Sequence, residues 1–203
     1  YALASRLSYL AWNSMPDAAL RHAANQGQLT SDPKELHRQL NRLLDDPKAE
    51  RFIKSLADQW LTLNLINFTT PDRSRFKTFD LIVQDAMIEE TQTFLGDLIL
   101  NNRPINKLIM ADHSFMNERL ARFYGHTEIT LTPGEGTQRV KLSSPYAGGL
   151  VSHGAIMKVT ADGTVTSPIL RGIWMGERIL GLHIPPPPPG VPAVEPDIRG
   201  AVS

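Results

Sequence analysis

The stretch Asp32-Pro33-Lys34-Glu35-Leu36-His37-Arg38-Gln39-Leu40-Asn41-Arg42-Leu43-Leu44-Asp45-Asp46-Pro47-Lys48-Ala49-Glu50-Arg51-Phe52-Ile53-Lys54-Ser55-Leu56-Ala57-Asp58-Gln59-Trp60 carries one punctuation mark twice. Each time an aspartate precedes a proline. An Asp side chain accepts a hydrogen bond from the otherwise unpaired N–H groups of a first helical turn. Proline fits the first helical position because no N–H is needed there. After the first mark, Leu36, Leu40, Leu43 and Leu44 recur at i, i+4, i+7 and i+8. After the second, Phe52, Ile53, Leu56 and Trp60, with Leu63 beyond, share one face. Two amphipathic helices in immediate succession must bury their stripes on each other or on further helices, so the stretch predicts a helical architecture.

The same pattern extends outward on both sides. Pro16 and Asp17 open an Ala-rich helix that Gly27 stops. A longer helix is expected from about Phe79 to Leu100, with Leu81, Ile88, Leu95 and Leu98 along one stripe. Pro104 begins a short helical turn, and Asn117 to Tyr124 forms another helix, stopped by Gly125. The texture then changes: 12 of the 14 glycines lie at or after Gly125, and 10 of the 15 prolines lie after it. Thr130 to Gly136 reads as a loop, Gln138 to Leu142 alternates like one short strand, and Tyr146 to Gly149 is a turn. The apolar residues of Leu150 to Thr160 fit neither the helical nor the strand period. Ser167 caps a last helix with Pro168 at its first position, and Gly181 ends it. The expected fold is mainly α: a bundle-like helical domain over 1–125, a smaller and more irregular domain over 126–184 ending in a helix, and a polyproline linker and tail over 185–203. No internal repeat is strict enough for a solenoid.

Composition narrows the function classes. The 203 residues are 41% hydrophobic and 21% charged, with 21 basic and 21 acidic side chains and a formal net charge of zero. A dedicated nucleic-acid binder shows a basic excess, which is absent. No run of 18 apolar residues exists, so no membrane-spanning helix is expected. Cysteine is absent, which excludes disulfides, thiolate metal ligands and a cysteine nucleophile within these residues.

Residues with chemical capacity are few. Glu89 and Glu90, near Asp85, lack the Glu-x-x-His spacing of a di-iron bundle, since Gln92 and Thr93 stand three positions on; they read as a solvated helix face. Asp112-His113-Ser114 contains the residue types of a hydrolytic triad, but triad members meet through the fold, and no G-x-S-x-G elbow is present. Gly134 and Gly136 lack the third glycine and the preceding strand of a dinucleotide fingerprint. Asn67-Phe68-Thr69 has the form of a glycosylation acceptor, a form that is common by chance. The six histidines form no H-E-x-x-H pair, so neither a metal site nor catalytic residues are expected. His153 stands in the irregular half, between glycine turns and Met157. It is the one candidate for a haem-facing or proton-accepting role.

The chain leaves its last helix through Pro185, Pro186, Pro187, Pro188 and Pro189. Five prolines in a row lack N–H donors and hold φ near −65°, which allows only a polyproline II rod. Such a rod is a spacer or a docking strip, and with Trp174 it forms the expected interaction element.

Three phrases carry a resemblance. Ala4-Ser5-Arg6-Leu7-Ser8-Tyr9-Leu10-Ala11-Trp12-Asn13-Ser14-Met15-Pro16-Asp17 resembles the opening of a domain of unknown function in large exported proteins of planctomycetes and their relatives. Phe115-Met116-Asn117-Glu118-Arg119-Leu120-Ala121-Arg122-Phe123-Tyr124-Gly125 resembles its end. Gly148-Gly149-Leu150, Thr166-Ser167-Pro168-Ile169-Leu170-Arg171-Gly172-Ile173-Trp174 and the proline run resemble the domain that follows. The resemblance implies a c-type cytochrome association, with a C-x-x-C-H haem-attachment motif in the region after the proline run. This chain has no such motif, so no cofactor is expected within it, and the resemblance allows haem c only in the full-length protein. Similar proteins often carry Gln or another polar residue where His153 stands, which counts against a ligand role there. The chain thus reads as a fragment of a longer protein of the periplasm or cell envelope. The first expectation for function is a scaffold that packs against an adjacent haem-bearing domain of the same chain. The alternative is the substrate-binding part of a redox enzyme that acts on a sugar or other small organic molecule and passes electrons to the haem.

Overall fold

The computed structural model describes residues 1–143, 147–161, 163, 165 and 167–185. Among these it contains nine α-helices and one two-stranded sheet, so the fold is mainly α, as the sequence predicts. The aspartate marks act as capping theory requires. Asp17 accepts from Leu20 N at the head of α2 (Ala18–Asn25), and Asp32 accepts from Lys34 N at the head of α4 (Pro33–Asp45). Asp46 caps a short 3-10 turn, Pro47–Ala49, that runs into α5 (Glu50–Trp60). Ahead of them stands α1 (Ala2–Trp12), and a single turn, α3 (Gln28–Ser31), links α2 to α4.

These first helices enclose a small core of their own: Ala4, Ala11, Trp12, Leu20, Ala23, Leu29 and Leu43. Trp12 is its centre. The indole N–H donates to the Leu43 carbonyl at 2.8 Å, and Lys48 Nζ lies 4.5 Å from the ring centroid. A buried indole with its one donor satisfied keeps its full apolar contribution.

The main core is built around α6 (Leu81–Leu100), capped by Asp80 through Val83 N. Its buried stripe begins two residues later than expected. Leu81 is 70% exposed, and the packed face runs through Val83, Met87, Glu90, Thr91, Phe94, Leu95 and Leu98. Against α6 pack α5, β1 (His113–Met116), α7 (Glu118–Phe123) and α8 (Gly154–Val159). The second strand, β2 (Gln138–Lys141), pairs antiparallel with β1, Ser114 opposite Val140 and Phe115 opposite Arg139. β1 has no alternating pattern because all four of its residues are buried. The ambiguous segment after Gly149 resolves into a 3-10 turn, Leu150–Ser152, followed by α8. The last helix, α9 (Pro168–Arg178), is capped by Ser167 through Leu170 N.

Residues on both sides of Gly125, from Ile53 to Trp174, contribute to this core. What lets the second half lie so close is a backbone-on-backbone contact. A Cβ on Gly148 would stand 2.3 Å from the His113 carbonyl oxygen, and one on Gly149 would stand 1.9 Å from that of Ile109. Only glycine fits there.

Candidate functional site

Chemistry concentrates where α6 meets β1, α7 and α8. Glu90, expected on a solvated face, is 1% exposed, whereas Glu89 and Asp85 are exposed as expected. Helical period explains the split. Glu90 lies three residues beyond Met87 and four before Phe94, on the buried stripe, and Glu89 lies a step around the cylinder. Its carboxyl is fully engaged. Ser114 Oγ on β1 donates to Oε1 at 2.6 Å, and Tyr124 Oη, just after α7, donates to Oε2 at 2.7 Å. The Tyr124 oxygen in turn accepts the Gly154 N–H at the first residue of α8, at 2.8 Å. One carboxyl therefore joins four elements. Burial pushes the Glu90 pKa up to about 7, with the two hydroxyl donors opposing that rise, and burial raises the Tyr124 phenol as well.

Ser114 therefore spends its hydroxyl on Glu90. Asp112 Oδ1 lies 3.3 Å from His113 Nδ1, and the His113 ring faces Phe94 with Nε2 3.6 Å from Asp97 Oδ2. This geometry supplies no base to Ser114 and builds no triad.

His153 immediately precedes α8 and is 1% exposed. Its Nδ1 lies 3.2 Å from Thr91 Oγ1, and the Phe94 ring meets it edge-on at 4.8 Å. Because Thr91 Oγ1 donates to the Met87 carbonyl, Nδ1 is the donor to Thr91, and Nε2 keeps a bare lone pair without a protein partner among the described residues. Burial, with a smaller contribution from His113, holds its pKa down to about 3, so the ring is neutral. A haem edge could reach Nε2 only by opening the core. These residues thus do not fit a haem of their own: no thiol exists for covalent attachment, and the one candidate imidazole is enclosed. No group of three or more His, Asp or Glu side chains among the described residues stands close enough to share a metal ion.

Beside the Glu90 cluster lies a cavity of about 400 Å³. Phe76, Phe79, Met87, Phe123, Tyr124 and Met157 supply most of its wall. The stem of Lys158 completes one side, while its Nζ turns away to the carbonyls of Ile66 and Thr69. Sequence reading missed this site because its residues come from four segments, and none carries a motif.

The expected interaction element starts well ordered. Trp174 is 7% exposed, with its indole N–H toward the Leu61 carbonyl at 3.3 Å. Trp60, half-buried on α5, donates its N–H to the Arg178 carbonyl at the end of α9. Beyond α9 the chain reverses at Gly181, where φ is +65°. Leu182 N then bonds the Gly176 carbonyl at 2.9 Å. Ile184 seats on Gly176 so closely that a Cβ there would lie 2.9 Å from its Cδ1. Pro185 follows, exposed; Pro186, Pro187, Pro188 and Pro189 lie outside the described residues.

Two family models match the chain in succession. Residues 1–126 match PSD4, a protein of unknown function (DUF1592), and residues 147–203 match PSCyt3, a protein of unknown function (DUF1588). No curated protein and no solved structure matches the chain. No helix among the described residues is long and apolar enough to cross a membrane.

Proposed function

This chain belongs to the PSD4 family of proteins of unknown function (DUF1592), which covers its first 126 residues, and from that premise we propose that it is a positioning module. Its helical unit over 1–125 and smaller unit over 126–184 hold the start of the proline run in a fixed place, so that a following domain leaves in a defined direction. The observation that carries this reading is the clamp at the exit. Trp60 and Trp174 tie the C-terminal half of α9 to the α5 region, and Ile184, the last residue before the run, is seated on Gly176. A flexible spacer has no need of such an anchor. A rod that starts from one loses little further entropy on docking.

The following domain is proposed to bear haem, in an exported protein of the periplasm or cell envelope of a planctomycete-type bacterium. Support comes from the cytochrome-associated names of the two families and from the phrases at Ala4 to Asp17 and Thr166 to Trp174. Trp174 and Pro185 to Pro189 are the interaction residues in this reading, and His153 serves the core. The experiment is made in the whole protein, with spin labels on α4 and on the next domain. Replacing Pro185 to Pro189 by a Gly/Ser segment of equal length broadens the distance distribution and slows electron transfer to a haem there. An unchanged distribution and unchanged rates reject the positioning role.

A second reading, the substrate-binding part of a redox enzyme, is favoured by the cavity alone. Its wall of phenylalanine and methionine offers no ring of hydrogen-bonding groups, so it suits an apolar molecule in place of a sugar.

A further inference from the structure

The cavity beside Glu90, about 400 Å³ and open to solvent on one side, has the size of a ligand site, since such sites commonly measure roughly 300–1,000 Å³. An apolar recess of this size leaves its wall against water, and an apolar occupant would remove that contact and pack against the wall. The chemistry of the wall says which. Phe76, Phe79, Phe123 and Tyr124 present four aromatic rings, and Met87 and Met157 add two polarizable thioethers. Phe79 and Phe123 already meet edge to face, at 6.1 Å and 65°, an arrangement that a further ring would extend.

The two strongest polar groups of the wall are committed elsewhere. Lys158 Nζ donates to the carbonyls of Ile66 and Thr69, and Tyr124 Oη is held between Glu90 and Gly154 N. A charged or strongly polar ligand would lose its hydration and find no free partner in them. The mouth lies at Phe76, Met157 and Val165, which are 42%, 40% and 50% exposed. We propose that this cavity is a binding site for one small, uncharged aromatic molecule, a role independent of the positioning function proposed above.

The test uses the purified chain and N-phenyl-1-naphthylamine, an uncharged aryl probe whose fluorescence rises in apolar surroundings. One probe per chain should bind saturably. Ala161→Phe, which places a ring inside the cavity, and Phe76→Lys, which charges its mouth at an exposed position, should each weaken binding about tenfold or more. Circular dichroism checks that each variant is folded, and Phe76→Lys decides the matter if Ala161→Phe is not. Naphthalene should displace the probe, and decalin, a saturated molecule of similar size, should do so at least tenfold less well. Absence of saturable binding overturns the proposal. So does binding that both folded variants leave unchanged. Equal displacement by decalin overturns the aromatic class.

Discussion

Tyr124 Oη donates to Glu90 Oε2 at 2.7 Å while accepting the N–H of Gly154, so one phenol links the carboxyl on α6 to the first residue of α8. The carboxyl is dry, and its pKa is raised from 4.5 to about 7. The folded state therefore holds a proton that the unfolded chain releases. Stability from this group is fully present below pH 4.5 and declines as pH rises through about 7, by roughly 3 kcal/mol in all. Glu90→Gln can keep both contacts, its carbonyl toward Tyr124 and its amide toward Ser114. Urea melts at pH 5 and pH 8 should show the wild type losing stability across that span relative to the variant. Parallel curves would refute the assignment.

His153 has the opposite sign. Its pKa is lowered from 6.5 to about 3 by burial and by His113, so unfolding takes up a proton. Its contribution is present above pH 6.5 and is lost as pH falls toward 3. His153→Leu should cost about 1 kcal/mol at pH 7 through the Thr91 hydrogen bond, yet lose less stability than wild type on acidification to pH 4. Equal acid sensitivity of the two proteins would show that His153 is not the group responsible.

The two tryptophans at the exit differ in what they risk. Trp174 is 7% exposed, and Trp174→Ala should cost ~3–5 kcal/mol. The stripe Leu56-Trp60-Leu63 predicts equal weight for Trp60, but Ile53 and Ala57 are the buried residues of α5, and Trp60 sits at the edge of the core. Trp60→Phe should cost about 1 kcal/mol, chiefly the hydrogen bond to the Arg178 carbonyl. Thermal melts distinguish the two, and a larger loss for Trp60→Phe would reverse this order.

Caps and turns are local, and they were legible: Asp17, Asp32, Asp46 and Ser167 bond the N–H groups that their positions imply. Glu90 was not, because a carboxylate in a helix reads as solvated unless its hydroxyl partners are known, and these come from residues 24 and 34 positions away. β1 was hidden for a related reason. A strand buried on both faces loses its alternation, and His113 and Ser114 look like chemistry when they are packing. The α6 stripe starts at Val83 and leaves Leu81 and Ile82 exposed, and periodicity alone does not say which face of a helix meets its neighbours.

Two glycines give the sharpest test of this packing. At Gly154 a Cβ would stand 2.4 Å from Tyr124 Oη and 2.9 Å from two Met87 side-chain atoms. Methionine can move aside, but the phenol is held by Glu90, so Gly154→Ala must shift either α8 or the hydrogen-bonded chain. The expected cost is ~1–3 kcal/mol, the range for overpacking a filled site. Gly172 on α9 is the control: it is exposed, and a Cβ there meets nothing within 4 Å. Gly172→Ala should stabilise by roughly 0.5–1 kcal/mol, because alanine loses less backbone freedom than glycine on entering a helix. If the Glu90 network is the element disturbed, Gly154→Ala will also change the stability difference between pH 5 and pH 8, and Gly172→Ala will leave it intact. Denaturant melts of both variants at the two pH values measure all four quantities. Equal effects at the two glycines would show that the Tyr124–Gly154 contact does not constrain the fold.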